Sequence, residues 1–182
     1  MALSRLSSVL LVLVACAALA QAPPQRIRGT IEAFDGSTLS VGGSKIQVTQ
    51  KTEIVFAQPT ALAELKPGDF LGVTSMKNTD GKLIAYEVRR FPKPVNPGHR
   101  PFDGRDDQTM TNATVEAMMQ SASNRELTMT YAGGSAKIVV PESASVSTLV
   151  PGTRDQLVVG APVNMTHDAS GMALRIQVGP KR

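Results

Sequence analysis

Two side chains able to ligate a soft metal lie two residues apart near the end of the chain, Met165 and His167. Alternate residues of a β-strand point to the same face, so a strand here would place the thioether and the imidazole side by side. These groups ligate copper. Six of the eight methionines lie at or after Met110. The residues therefore raise the hypothesis of a copper site, against the alternative that the methionines fill core gaps.

A second group of metal-ligand types surrounds the other histidine: His99 stands near Asp103, Asp106 and Asp107. These residues supply nitrogen and oxygen ligands, but without a spacing typical of a metal site. The favoured interpretation is a solvated loop with local turn hydrogen bonds. With one cysteine and two histidines in the chain, a set of nucleophile, base and orienting group is hard to assemble, and we predict that the protein is not an enzyme.

Four arginines, Arg26, Arg28, Arg89 and Arg90, come from the start of one predicted strand and the end of another. The favoured interpretation is that these charges discourage pairing at strand edges. The alternative is that they converge into a basic patch for an anionic partner such as a polysaccharide or a membrane surface.

The overall charge is uninformative about partners. The formal net charge is +4, but residues 26–91 carry nine basic and seven acidic side chains, and residues 111–178 carry four and five. A nucleic-acid-binding surface needs clustered basic residues and aromatic platforms. We therefore expect no nucleic acid, and the partner is expected to be an unknown protein or another component of the envelope.

The elements that must position these residues occur twice. Thr30-Ile31-Glu32-Ala33 returns as Thr114-Val115-Glu116-Ala117, and Gly42-Gly43-Ser44-Lys45-Ile46 returns as Gly133-Gly134-Ser135-Ala136-Lys137-Ile138. Gly81 to Val88 returns as Gly171 to Val178. Because the matches keep their order, they indicate a duplicated unit.

Each unit has the alternating apolar pattern of short strands separated by turns, and we predict an all-β fold. Five strands per unit suggest two tandem OB-like barrels, formed by residues 26–91 and 111–178. A short helix at 61–65 is predicted between strands 3 and 4 of the first, whereas Pro151-Gly152 predicts only a turn in the second. Leu174 is among the inward residues predicted for the second unit, and residues 92–110 form a Pro/Gly-rich linker.

The first 20 residues have the layout of a signal peptide, with Arg5 before an apolar run and small residues after it. Ala18-Leu19-Ala20 fits ordinary cleavage, whereas Leu13-Val14-Ala15-Cys16 fits a lipobox, in which case Cys16 carries a lipid anchor. We expect a periplasmic or secreted protein, or a membrane-anchored lipoprotein. No transmembrane segment is expected after signal removal, since no later apolar run approaches about 20 residues.

Several segments resemble a known family: Arg26 to Leu39, Leu65 to Val73, His99 to Asp103, and Thr109 to Val115. Together they are similar to exported proteobacterial proteins that carry a domain of unknown function and are often labelled metal or copper transporter permease. The resemblance implies no catalytic residues. A permease must cross a membrane several times, which nothing after the signal could do. We therefore expect a non-catalytic exported binding or scaffolding module without a cofactor; the alternative is a periplasmic accessory protein that handles copper.

Overall fold

The computed structural model describes residues 22–120 and 125–181, and within them the fold is all-β, as predicted. The predicted signal peptide and Cys16 lie outside the described residues. The strands of the first repeat are β1 (Gln25–Phe34), β2 (Thr38–Val41), β3 (Ser44–Gln47), β4 (Glu53–Pro59), β5 (Phe70–Lys77) and β6 (Leu83–Phe91). Those that follow are β7 (Gly98–Phe102), β8 (Arg105–Gln120), β9 (Arg125–Tyr131), β10 (Gly134–Val139), β11 (Ser145–Pro151), β12 (Pro162–His167) and β13 (Ala173–Val178). In these ranges no helix has the length and apolar character to cross a membrane.

The two repeats exchange strands. The first strand of each repeat pairs with a late strand of the other: β1 with β12, and β8 with β5. The strand order is β10-β9-β8-β5-β6-β11-β4-β13-β12-β1-β2-β3, and β10 also pairs with β6. That last pairing closes a ring of five strands, β5, β6, β8, β9 and β10, to which both repeats contribute.

The exchange obeys an internal two-fold symmetry. The strand order reads the same from either end once each strand is replaced by its counterpart in the other repeat. At its centre β4 lies antiparallel to β11, with Ala57 opposite its own counterpart, Leu149. Away from the centre, Val115 accepts a 2.9 Å hydrogen bond from the amide of Gly68, and Ile31 accepts one of 2.9 Å from the amide of Gly160. The two segments of similar sequence therefore occupy equivalent places in the sheet, and neither closes a sheet from its own strands alone.

Each hydrophobic core is built from both repeats. One packs Leu71, Val73 and Val88 of the first repeat against residues of the second such as Leu127 and Ile138. The other core combines Ile31, Leu39, Val41, Ile46 and Val48 with Leu157, Val163, Met165, Ile176 and Val178, among others. The prediction that residues 26–91 and 111–178 each close their own unit therefore differs from the structure.

Local turn signals explain the pieces that each repeat does form by itself. Gly42-Gly43 joins β2 to β3, and both glycines have positive φ, which glycine adopts at no steric cost. Asn78 closes the β5–β6 hairpin by accepting hydrogen bonds from the amides of Asp80 and Lys82. Between these pieces β4 crosses to pair with β11 and β13, and so carries the chain from one core to the other.

Three further expectations differ from the structure. The predicted helix at 61–65 is a 3₁₀ turn at Leu62–Glu64, because Pro59 and Pro67 leave too few residues to nucleate an α-helix. A matching 3₁₀ turn occupies Arg154–Gln156 in the second repeat. The linker 92–110 contains β7 and the start of β8, which pair with each other. Leu174 is 43% exposed because a bulge in the β12–β13 pairing turns it outward.

Candidate functional site

The strand exchange gathers arginines into a cleft of about 470 Å³ between the two halves of the sheet. Three of the four predicted arginines line it, Arg26 and Arg28 from β1 and Arg89 from β6. Two that the sequence did not single out complete the set: Arg100 from β7 and Arg175 from β13. Among the described residues that line this arginine cleft, Asp103 is the only acidic one.

Arg28 connects the cleft to the hairpin formed by β7 and β8. Its Nη1 donates to the carboxylate of Asp103 at 2.5 Å, and its guanidinium lies 4.6 Å from the ring centre of Phe102. Both partners come from the segment predicted as a linker, so these contacts hold that segment against the body of the fold. Arg28 remains exposed, and an ion pair between exposed groups is weak enough for another anion to displace.

Arg89 is the most deeply placed arginine of the cleft. Its Nη2 pairs with Glu87 and its Nη1 donates to Gln177 at 3.3 Å. Burial lowers the pKa of Arg89 from its usual range, while Glu87 acts in the opposite direction. Its Nε is buried and finds no acceptor among the described residues. A buried donor without an acceptor costs stability, and an incoming anionic group would relieve that cost.

The remaining cations leave the cleft with an excess of positive charge. Arg175 lies 3.6 Å from Glu53, and Arg100 donates to the backbone oxygen of Asn96 at 3.0 Å. Within residues 22–120 and 125–181, Arg26 and Arg100 have no carboxylate at ion-pair distance. Clustered like charges in a concave surface focus the field and attract counter-ions.

Arg90 does not join the cleft. It lies 3.6 Å from Asp69 and donates to the backbone oxygen of Glu64 at 3.4 Å. Adjacent strand residues point to opposite faces, so Arg89 and Arg90 could not both line one surface of a regular strand. Arg90 therefore contacts the 3₁₀ turn of the first repeat.

Met165 and His167 do lie on one face of β12, as their spacing predicts, and both are buried. Met165 packs in a core cluster whose other members are aliphatic or aromatic. His167 Nδ1 lies 2.8 Å from the backbone oxygen of Asp168. Across the two described ranges, no three His, Cys, Asp or Glu side chains are grouped to hold a metal.

The predicted cluster around His99 is not assembled. Its Nδ1 lies 2.8 Å from the hydroxyl of Thr111 and its ring stacks on Tyr131. Burial, with a smaller effect of Lys77, lowers the pKa of His99 below its usual range. Asp103 pairs with Arg28 instead, and Asp107 pairs with Arg105. Thr111 is 0% exposed, so this imidazole–hydroxyl pair does not present a nucleophile to the surface.

A second cavity, of about 580 Å³, adjoins the arginine cleft. The two share four lining residues: Arg28, Arg89, Asn164 and Gln177. The rest of its lining is mainly apolar or small, including Ala57, Pro59, Val146, Pro162 and Val163, with Glu87 as its only acid among the described residues. This apolar compartment has the volume of ordinary small-molecule sites.

Comparison with known proteins finds a family match for part of the chain. No curated protein and no solved structure matches the chain. Residues 28–89, which run from β1 to Arg89 in β6, match the model of DUF5666, a domain of unknown function. The matched segment contributes to both cores, and two of the cleft arginines stand at its ends. The first repeat is thus similar to DUF5666.

Proposed function

We propose that this protein is a non-catalytic exported binding module that holds an anionic group in the arginine cleft. The observation that carries the proposal is the convergence of five arginines on one cleft whose described lining includes a single carboxylate. Guanidinium groups bind carboxylates, phosphates and sulfates through paired N–H donors. Such a cleft therefore recognises the anionic group as such, whatever larger molecule carries it.

The internal ligand of the cleft supports the same function. Asp103 already occupies Arg28 through a carboxylate, which is the chemistry proposed for the external ligand. Asp103 lies at the turn between β7 and β8 with a φ of 54°, a strained conformation for a residue other than glycine. An external anion would compete with this carboxylate for Arg28.

The setting of the module is part of the proposal. The layout of residues 1–20 supports export to the periplasm or beyond, with Cys16 as the lipid-bearing residue if the lipobox is used. OB-like units support a binding role, since OB-folds bind ligands on their strands and loops. The ring of β8, β9, β10, β6 and β5 would be such a unit, assembled from two repeats.

Citrate, a compact tricarboxylate, tests the proposal by calorimetric titration at low ionic strength. We expect binding that weakens as salt is added, because exposed charges are screened. Arg28→Gln should weaken it about 10- to 100-fold, the effect of losing one or two hydrogen bonds to a charged group. Arg90→Gln is the matched control, since it removes the same charge outside the cleft. Equal losses in both variants, or no citrate binding at all, would refute the proposal.

Copper handling through Met165 and His167 is the alternative function. The burial of both side chains on one face of β12 is compatible with it, but the adjoining cleft is rich in positive charge. A Cu(I) titration of the wild type and of Met165→Leu decides between the two. Tight stoichiometric binding that this substitution abolishes would favour copper, whereas binding of citrate without Cu(I) would favour the anion.

A further inference from the structure

We infer that the ligand of the arginine cleft is amphiphilic, with its anionic group at the arginines and an apolar tail in the adjoining compartment. This inference rests on the proposed function and specifies the ligand class. The two cavities meet at Arg28, Arg89, Asn164 and Gln177, so one molecule can occupy both. An anion without a tail would leave the apolar compartment unused.

Charge at the junction fixes the orientation of such a ligand. Glu87, the acid of the apolar compartment, is engaged by Arg89, so its charge is compensated where the cavities meet. The unpartnered Nε of Arg89 belongs to a side chain that lines both cavities. An anionic head is therefore held chiefly in the arginine cleft, where Arg26 and Arg100 have no carboxylate at ion-pair distance among the described residues, and the tail extends past the Glu87–Arg89 pair into the apolar compartment.

The walls of the compartment suit a hydrocarbon. Ala57 and Pro59 line it from β4, and Pro162 lines it from β12. Ala57 lies in the central β4–β11 pair, so the compartment adjoins the internal two-fold axis. Each methylene moved from water into such a site contributes about 0.8 kcal/mol, which corresponds to about a fourfold gain in affinity.

A homologous series of carboxylates tests the inference: acetate, butanoate, hexanoate and octanoate, measured by calorimetric titration. We expect affinity to rise about threefold to fourfold per methylene. Octyltrimethylammonium, with a similar tail and a cationic head, should bind at least 10-fold more weakly than octanoate. Affinity that stays flat along the series while citrate binds would overturn the amphiphile inference and leave the proposed function standing. Failure of citrate and of every carboxylate would overturn both.

The variant Ser147→Phe tests whether the apolar tail binds in the apolar compartment. Ser147 lines the apolar compartment from β11, and a benzyl group there should remove most of the gain from added methylenes while citrate binding persists. Thr128→Phe is the matched control, because Thr128 is likewise half-buried in a strand but lines neither cavity. Thermal unfolding of both variants checks that they fold. An unchanged chain-length dependence in folded Ser147→Phe would contradict the placement.

Discussion

Cleavage of the chain between its repeats provides a direct test of the strand exchange. A protease site inserted between Lys93 and Pro94, in an exposed stretch between β6 and β7, would divide the folded protein into its two repeats. Six strand pairs join these halves: β1–β12, β5–β8, β6–β10, β6–β11, β4–β11 and β4–β13. We expect the cleaved halves to remain bound to each other.

The free energy of association of the two halves can be worked out from the cores. The first repeat contributes five buried Ile, Leu or Val side chains to each core. At about 1.5–3 kcal/mol for each side chain, separation of the halves re-exposes apolar surface worth on the order of 15–30 kcal/mol. Association costs about 4–15 kcal/mol. The middle of these ranges leaves about 13 kcal/mol, which corresponds to a dissociation constant in the nanomolar range or below.

Size-exclusion chromatography of the cleaved protein at about 10 μM, a concentration above that range, gives the readout. One peak at the volume of the uncut protein is expected, and it should resolve into two fragments only in denaturant. The uncut protein with the same insertion is the control for any effect of the insertion itself. Two separate peaks, each retaining a β-sheet circular dichroism spectrum, would show that each repeat folds alone and would refute the exchange.

Two further predictions concern stability. Gly72→Ala should lower the free energy of unfolding by about 1–3 kcal/mol in urea titrations, because a Cβ there would lie 2.5 Å from Cε2 of Phe91. Gly134→Ala is the control, because its Cβ would come no closer than 3.3 Å to Tyr131. An equal loss in both variants would contradict the steric reason. Hydrogen bonds from the backbone amides of Thr38 and Ser37 lower the pKa of Asp35 to about 2. The contribution of this carboxylate to stability is therefore complete above about pH 4 and is lost as the pH falls through about 2. The stability difference between wild type and Asp35→Ala should therefore shrink between pH 4 and pH 2, and a constant difference would count against this role.

The strands were predictable from the sequence, but their partners were not. Alternation of apolar residues tells which face of a strand is buried, and turn residues such as Gly42-Gly43 fix the local hairpins. Neither the alternation nor the turn residues predict which distant strand completes a core. Ile31 and Val115 occupy equivalent positions in the repeats, so β1 would find equivalent apolar surface in either repeat. The direction in which β4 leaves the first hairpin decides whether the strands pair within a repeat or between repeats. The residues of β4 do not predict that direction.

The site was only partly predictable, because local signals give the strands but not the distant strands that they pair with. Arg26, Arg28 and Arg89 were singled out because they stand at strand ends of one repeat, and the structure places them together. Alternation along β6 could have separated Arg90 from Arg89 in advance. Arg100 and Arg175 belong to the predicted linker and to the other repeat, so only the strand exchange brings them to the same cleft.

The internal symmetry explains why not every equivalent position of the cleft carries an arginine. The first-repeat arginines and the residues at equivalent positions of the strand pairing all line it: Arg26 with Met110, Arg28 with Asn112, and Arg89 with Gln177. The last pair differs by two residues from the sequence match, which aligns Gln177 with Glu87. An assembly of two identical first repeats would place arginines at all six positions, and their mutual repulsion would oppose closure. The neutral side chains at Met110, Asn112 and Gln177 lower that repulsion, while Arg100 and Arg175 still contribute charge beside them. The arginines of the cleft therefore come from both repeats and from the segment between them, and the site lies at the seam between the repeats.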